Sequence, residues 1–316
     1  MIDFAYLNRG LTGLAQAHRA GTMAGHLGAA LVAGYLYGED EPDLPAEVHR
    51  GIEGELDRVV AGEEAIWFNA RQAGVMPQEL FEPLEHATGD RERVTLIAEA
   101  LAESVGELRQ SGHNVIFAAL AIRGLTGHED FATQPIVDGI VRLISGFKNQ
   151  HGGRGYFGAE TGWKTNRDRE PDAASDFPAY DSVQAMVDRT VDTVIDTARI
   201  KRQGFGGLWH LINHAAGIVE LDACGFRLLA RQALPAHHTH LRYWNSLPDV
   251  AEELGEQLKA PADPRTAEYW AGMLKRDEAR LTHRVKTLYG FRILERLIDD
   301  EDRRQAARDA LLYLMA

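Results

Sequence analysis

The sequence predicts an all-α protein, and two observations carry that prediction. Apolar residues recur at helical spacing in "VTLIAEALAESVGEL", "PIVDGIVRLISGF", "VQAMVDRTVDTVIDTARI" and "FRILERLIDD", as they do along the buried face of a helix. No stretch alternates convincingly as a strand. Breaks at glycine and proline divide the chain into about eleven or twelve helices. These breaks are Gly38, Pro45, Gly74, Pro77, Gly89, Gly112, Gly127, Pro135, Gly204, Pro235, Pro248 and Pro261.

The predicted helices are of two kinds, which roughly alternate along the chain. The amphipathic and charged kind, typical of an outer layer, comprises residues 46–61, 91–110 and 181–201. The small and apolar kind, which neighbours must bury, comprises residues 21–36, 113–125 and 207–221. We therefore expect an α/α toroid-like array of paired helices, with an inner apolar ring and an outer amphipathic ring. This shape resembles terpenoid cyclases and six-hairpin glycosidases, which implies no shared chemistry.

Composition favours one globular domain over residues 1–316, with 45% hydrophobic and 26% charged residues. The net charge of −13 disfavours nucleic acid and anionic membranes, which bind clustered cations. The opening "MIDFAYLNRGLTGLAQAHRA" lacks a basic region followed by an uninterrupted apolar stretch, and no run of about 18 apolar residues occurs in the sequence. We expect a cytoplasmic protein that acts on a small-molecule substrate and that can form a homo-oligomer.

The chain contains a single cysteine, Cys224. It cannot form an internal disulfide, and zinc sites built from several thiolates are excluded. Cys224 is better explained as a small buried residue than as a nucleophile. Any metal must therefore be bound by carboxylates or by some of the 13 histidines.

A weak internal repeat places histidines at comparable points of the apolar helices. "GHLGAALVAGYL" from Gly25 and "GHNVIFAALAIRGL" from Gly112 both begin with Gly-His. "NHAAGIVEL" from Asn213 is a looser third copy. The repeat would aim His26 and His113 at one cavity. The alternative is chance recurrence in a chain rich in alanine and glycine.

The long Gly/aromatic loop at residues 148–180 has no helical period. A connection of this length inside a compact domain is usually functional or disordered. Tyr156, Phe157 and Trp163 indicate an ordered lid or pocket wall, with Tyr156 and Trp163 bordering the ligand entrance. The alternative is a surface loop held by aromatic packing. "NRDREPDAASD" is typical of a solvated excursion.

The strongest candidate site is the pair His210 and His214, which lie one turn apart in an apolar helix. Two imidazoles at this spacing can share an ion, but the glutamate of the zinc-protease motif is absent. Glu220 is turned away from the histidine face and is a poor third ligand. Further ligands must come from other helices, where His26 and His113 are the natural candidates.

We therefore predict a metal site formed by His26, His113, His210 and His214. Neutral imidazoles suit Fe, Zn, Cu or Ni, and Fe or Zn is our first expectation. His113 and His214 are the candidate acid–base residues. The alternative is that each histidine is a core residue whose hydrogen bonds are satisfied.

Further candidates lie near the predicted cavity. "LPAHHTHLRYW" follows a predicted helix end at Pro235, and of its histidines we keep His238 as a rim residue. Glu64, next to Trp67 and Phe68, lies in an apolar setting that would raise its pKa. The pair Glu252-Glu253 is more typical of a solvated helix face. The predicted substrate-binding residues are thus Tyr156, Trp163, His238 and Glu64.

Gly25-His26 with "LGAALVAGYLYGED", Gly112-His113, and His210 with His214 give the chain a faint resemblance to the questin oxidase-like family over residues 21–234. The resemblance implies an oxidoreductase that opens or oxygenates a hydrophobic aromatic molecule. Three functions stay open: a metal-dependent enzyme, first of all an oxidoreductase; a metal-independent lyase, isomerase or hydrolase using histidine acid–base catalysis; and a non-catalytic binding protein.

Overall fold

The computed structural model describes residues 1–171, 178–271 and 281–316. Within them the protein is almost entirely helical, which confirms the all-α prediction. The helices are α1 (Ala5–Gln16), α2 (Gly25–Asp40), α3 (Ala46–Val60), α4 (Ala70–Ala73), α5 (Val94–Ala102), α6 (His113–Gly127), α7 (Gln134–Ser145), α8 (Val183–Thr197), α9 (Gly207–Ala223), α10 (Arg227–Ser246), α11 (Ala251–Leu254), α12 (Ala267–Ala271), α13 (Leu281–Glu295) and α14 (Glu301–Leu311).

The chain divides into two compact units, each made of three segments. The first unit comprises Met1–Glu103, Phe117–Lys148 and Ala262–Tyr289. The second unit comprises Ser104–Ile116, Asn149–Pro261 and Gly290–Ala316. The prediction of one domain over residues 1–316 stays a prediction.

In the first unit, α2 packs against α1 and α3, and α7 packs against α1 and α5. Helix α2 is buried along nearly its whole length, as its composition predicts. Helix α3 follows Pro45 and is amphipathic: Glu47 and Arg50 are exposed. The apolar residues of its buried face are Val48, Ile52, Leu56 and Val59. The expected contrast between apolar and amphipathic helices therefore holds within this unit.

In the second unit, α9 packs against α8 and α10, and α14 packs against α8. Helix α8 begins at a capping serine, because the Ser182 hydroxyl accepts a hydrogen bond from the Ala185 N–H. Helix α9 is buried on most of its surface. No helix among the described residues is long and apolar enough to cross a bilayer.

The loop at 148–180 contains a small antiparallel hairpin of β1 (Arg154–Tyr156) and β2 (Trp163–Thr165). Strands of this length are too short to show alternation, so the sequence gives no signal for them. The end of the predicted solvated excursion, residues 172–176, lies outside the described residues.

Three predicted helix limits are wrong. Pro235 lies inside α10, whose buried face continues on both sides of the proline. Gly38 lies inside α2, where its lack of a side chain admits Ile2: a Cβ on Gly38 would lie 2.7 Å from the Ile2 Cγ1. The helix predicted at 91–110 shortens to α5, because the chain leaves the helical conformation after residue 102. In each case tertiary packing or local turns outweigh composition.

Candidate functional site

The second unit contains a group of five buried histidines, which we call the histidine cluster. Its members are His113 on α6, His210 and His214 on α9, and His237 and His240 on α10. None of these side chains is more than 5% exposed. The rings of His113 and His210 are 4.4 Å apart between centroids. The His214 ring lies 5.1 Å from His237 and 5.6 Å from His240. Three of the predicted histidines are therefore brought together with two that sequence reasoning did not select.

Hydrogen bonds fix the tautomers of two rings in the histidine cluster. The His240 Nε2 lies 2.7 Å from the Phe205 carbonyl oxygen, so this nitrogen carries the proton and donates. The lone pair of a neutral His240 is then on Nδ1, which lies 3.3 Å from the His214 Nδ1. His214 must donate from Nδ1, and its own lone pair is on Nε2. This Nε2 is buried and accepts no hydrogen bond from any described residue.

Burial keeps the imidazoles of His214, His237 and His240 neutral. Desolvation lowers the pKa of His214 well below its ordinary value, and the neighbouring His237, His240 and His113 lower it further. Burial lowers the pKa of His237 to about 3 and that of His240 to about 4. At neutral pH the unprotonated His214 Nε2 therefore offers its lone pair to a metal ion or to a substrate O–H or N–H group.

His237 is also held in one tautomer. Its Nε2 donates to the Leu211 carbonyl at 3.1 Å, and its Nδ1 accepts the Tyr180 hydroxyl at 3.3 Å. The ring of His238, predicted as a rim residue, is half-buried and lies edge-on to Tyr180 at 5.4 Å. Its role in substrate binding stays a prediction.

Strained backbone lies beside the histidine cluster. Of the described non-glycine residues, Gln110, Ser111 and Phe205 have positive φ values, of 44°, 58° and 45°. They immediately precede α6 and α9, and such strain concentrates at functional sites. Gly206, at φ 72°, also admits an imidazole, because a Cβ there would lie 1.6 Å from the His210 Nδ1.

The loop at 148–180 holds both strained segments in place. The Gln110 and Ser111 N–H groups donate to the carbonyls of His151 and Gly152 at 2.8 and 2.7 Å. The Phe205 N–H donates to the Arg154 carbonyl at 2.7 Å. This part of the loop is therefore ordered, as its aromatic composition predicts, and it supports the backbone that carries the histidines.

Comparison with known proteins gives no relative from which a role could be transferred. No family model, curated protein or solved structure matches the chain. The resemblance to the questin oxidase-like family therefore stays an expectation, and the functional argument depends on the geometry alone.

His26 lies in the first unit, where it is fully buried. Its Nδ1 donates to the Met23 carbonyl at 3.0 Å, so Nε2 bears the lone pair. A ring nitrogen of His26 and one of His283 lie within 4.8 Å of each other, close enough to share an ion. His283, on α13, carried no sequence signal, because "LTHRVKTLYG" lacks a recognisable ligand spacing.

The two Gly-His segments share a local structure. Like His26, His113 donates from Nδ1 to the carbonyl three residues earlier, that of Gln110. His18, which is half-exposed, makes the same kind of bond to the Ala15 carbonyl. The bond is therefore not specific to the two repeat histidines, which differ from His18 in being buried. His214 lies within α9 and bonds to His240 instead, so the third copy differs.

Glu64 is buried, as the prediction of an apolar setting requires, although the charge of Lys286 also acts on it. Its carboxylate is fully buried and accepts the Thr282 N–H at 2.7 Å. Burial raises the pKa of Glu64, against the opposing effects of the Thr282 N–H and the Lys286 charge. The glutamate lies in the first unit with His26, and its predicted contact with substrate stays a prediction.

Tyr156 and Trp163 face each other across the hairpin, with ring centroids 5.7 Å apart. The Tyr156 hydroxyl donates to Glu253 at 2.7 Å, so this carboxylate anchors the loop. Trp163 is 44% exposed. The predicted position of both aromatics at a ligand entrance stays a prediction.

Proposed function

We propose that the protein is an enzyme that acts on a small organic molecule and uses His214 as its general base. The observation that supports this most directly is the His214 Nε2, a buried lone-pair nitrogen without a hydrogen-bond partner among the described residues. Leaving such a group unsatisfied costs about 1–3 kcal/mol. A substrate O–H or N–H group placed against Nε2 would recover that cost.

His240 is a positioning residue in this proposal. It fixes the His214 tautomer through Nδ1 while its own Nε2 is bound to the Phe205 carbonyl. A base oriented by a second group, which is itself anchored, is the usual arrangement of acid–base catalysts. His113, whose charge would act on His214, is the second acid–base residue.

The test uses a panel of cyclic ketones and hydroxylated aromatic compounds. Turnover would be followed by mass spectrometry in deuterium oxide and air, where proton abstraction incorporates deuterium and oxygenation incorporates oxygen. We expect His214→Gln to lower turnover about 100-fold or more while the variant remains folded. The matched control, His18→Gln, alters a half-exposed histidine and should retain turnover.

Equal turnover by His214→Gln and the wild type would overturn the proposal. Binding of a panel compound that His214→Gln abolishes, without turnover in either protein, would favour the binding-protein alternative. Oxygen incorporation would favour the oxidoreductase expected from the questin oxidase-like resemblance. None of these three outcomes depends on the predicted toroid arrangement, cytoplasmic location or homo-oligomer. Those three features stay predictions.

A metal-dependent oxidoreductase is the second candidate function, favoured by the proximity of His26 and His283. Both rings are buried. The His26 Nδ1 is bound to the Met23 carbonyl, which places the lone pair on Nε2, as a carbonyl partner does for the histidine ligands of metal ions. Fe or Zn is the expected ion. Elemental analysis of the purified protein should find about one equivalent, which His283→Gln and His26→Gln lose and His18→Gln retains.

A further inference from the structure

Lys286, on α13 in the first unit, is a buried cation that the proposed function does not use. The residue is 2% exposed. It forms no hydrogen bond or ion pair with any residue that the structure describes. Its Nζ lies 5.7 Å from the ring centroid of Phe117, within the range of a cation–π contact. Burying an amine without a hydrogen-bond partner destabilises the fold. Such a residue is therefore a candidate for a functional role.

The surroundings of Lys286 favour the neutral amine. Burial lowers the pKa of Lys286 to about 7, and only the charge of Glu64 opposes this effect. An uncharged lysine amine has a lone pair and is a nucleophile, which is why buried lysines serve as Schiff-base residues. Glu64, also buried, supplies a carboxyl group that can receive and return a proton.

Flat aromatic surfaces lie in the same part of the first unit. Phe117 contacts Lys286 and also lies edge-on to His26, at 5.4 Å between ring centroids. Trp67 also stacks on His26, with centroids 3.6 Å apart and planes 9° from parallel. A planar carbonyl compound bound at Lys286 would lie near these rings, with which it can stack or make edge-on contacts.

We propose that Lys286 is a separate reactive site that forms an imine with a small aromatic aldehyde or ketone. The Nζ lone pair attacks the carbonyl carbon to give a carbinolamine. The carbonyl oxygen then leaves as water with the two protons that Nζ loses, and the C=N bond forms. Glu64 carries a proton from the nitrogen to the leaving hydroxyl. No oxidant or reductant takes part, so the step is balanced as written.

Reductive trapping tests this proposal with the full chain. The protein would be incubated with benzaldehyde and cyanoborohydride, which reduces an imine to a stable secondary amine, and the labelled peptides mapped by mass spectrometry. We expect Lys286 to be labelled at least 10-fold faster than Lys148, whose side chain is 57% exposed. Labelling of Lys286 no faster than that of Lys148 would overturn the proposal.

Two variants separate the roles of the amine and the carboxyl group. Lys286→Arg retains a cation but has no primary amine, so the fast label should vanish while Lys148 is labelled as before. Glu64→Gln should slow labelling at Lys286 about 100-fold, the scale of acid–base assistance. Labelling as fast as in the wild type would contradict the role of Glu64. The wild-type map decides the main question even if either variant fails to fold.

Discussion

The imidazoles of His237 and His240 in the histidine cluster are held in defined tautomers by hydrogen bonds to backbone carbonyls. The Phe205 carbonyl binds His240, and the Leu211 carbonyl binds His237. Because a carbonyl only accepts, each bond assigns the proton to one ring nitrogen. The Phe205 carbonyl therefore determines, through His240, which ring nitrogen of His214 carries the proton.

We predict a specific tautomer pattern at neutral pH. His214 should carry its proton on Nδ1, and His237 and His240 should carry theirs on Nε2. Nitrogen NMR of histidine-labelled protein distinguishes the two nitrogens directly. His240→Gln should then leave the His214 ring free to change tautomer, whereas His18→Gln should leave the pattern of the cluster unaltered. A proton on the His214 Nε2 in the wild type would contradict the assignment.

A second prediction at the residue scale concerns Gly206. Gly206→Ala places a Cβ against the His210 ring at a backbone φ of 72°, so we expect both strain and displacement of the imidazole. Gly207→Ala is the matched control, since φ is 67° and no atom lies within 4 Å of its Cβ. The left-handed backbone should cost each variant about 1–2 kcal/mol of unfolding free energy.

Only Gly206→Ala should lose more than that amount and shift the NMR signals of His210. Denaturation with urea, together with the histidine spectra, measures both effects. Equal losses in the two variants, with unchanged His210 signals, would show that the imidazole does not need the space that Gly206 leaves.

At the scale of the elements, α10 continues through a proline that the sequence indicates as a break. Pro235 is exposed, and the helix extends from Arg227 to Ser246 around it. Because the helix continues, His237 and His240 lie on the buried face of α10. A helix that ended at Pro235 would have left both histidines in a loop. The histidine cluster therefore depends on a helix that propensity alone does not support.

We predict that Pro235→Ala stabilises the protein. A proline inside a helix lacks its N–H and strains the preceding turn, at a cost of about 3 kcal/mol relative to alanine. The greater freedom of the unfolded chain offsets up to about 1 kcal/mol of this gain. Urea denaturation should therefore show an increase of about 2 kcal/mol. Pro45→Ala, at the start of α3, should give no increase, and a loss of stability in Pro235→Ala would contradict the argument.

At the scale of the whole molecule, the buried neutral histidines make stability depend on pH. In the unfolded chain an imidazole takes up a proton near pH 6.5, whereas burial lowers the folded pKa of His237 to about 3 and that of His240 to about 4. Below pH 6.5 the unfolded state binds more protons, so stability falls as the pH falls.

Replacing one such histidine should remove its share of this pH dependence. Between pH 7.5 and 5.5, His237 accounts for about 1.4 kcal/mol of lost stability. The difference in unfolding free energy between these two pH values should therefore shrink by that amount in His237→Gln. Between pH 7.5 and 8.5 the variant and the wild type should differ by a constant amount. An unchanged acid dependence would indicate that His237 takes up its proton near the same pH in the folded protein as in the unfolded chain.

Part of the candidate site could be predicted from residue patterns. The one-turn spacing of His210 and His214 needs only helix geometry, and the buried state of Glu64 follows from the aromatic residues beside it. His237 and His240 are not predicted as site residues, because neighbouring side chains in "HHTH" point apart and the segment follows a predicted helix end at Pro235. His283 and Lys286 could not be selected, since nothing in their own segment distinguishes them from ordinary helix residues.

The sequence by itself determined the helical class, the contrast between apolar and amphipathic helices, and the burial of the paired histidines, because all three depend on periodicity along one segment. Only the tertiary structure decided which side chains meet. His214 and His240 are 26 residues apart in sequence, His240 and Phe205 are 35 apart, and Glu64 and Thr282 are 218 apart. Such contacts determine the tautomer of a buried imidazole and the charge of a buried carboxyl group. The distances between the contacting residues depend on how whole helices pack, which local residue patterns do not specify.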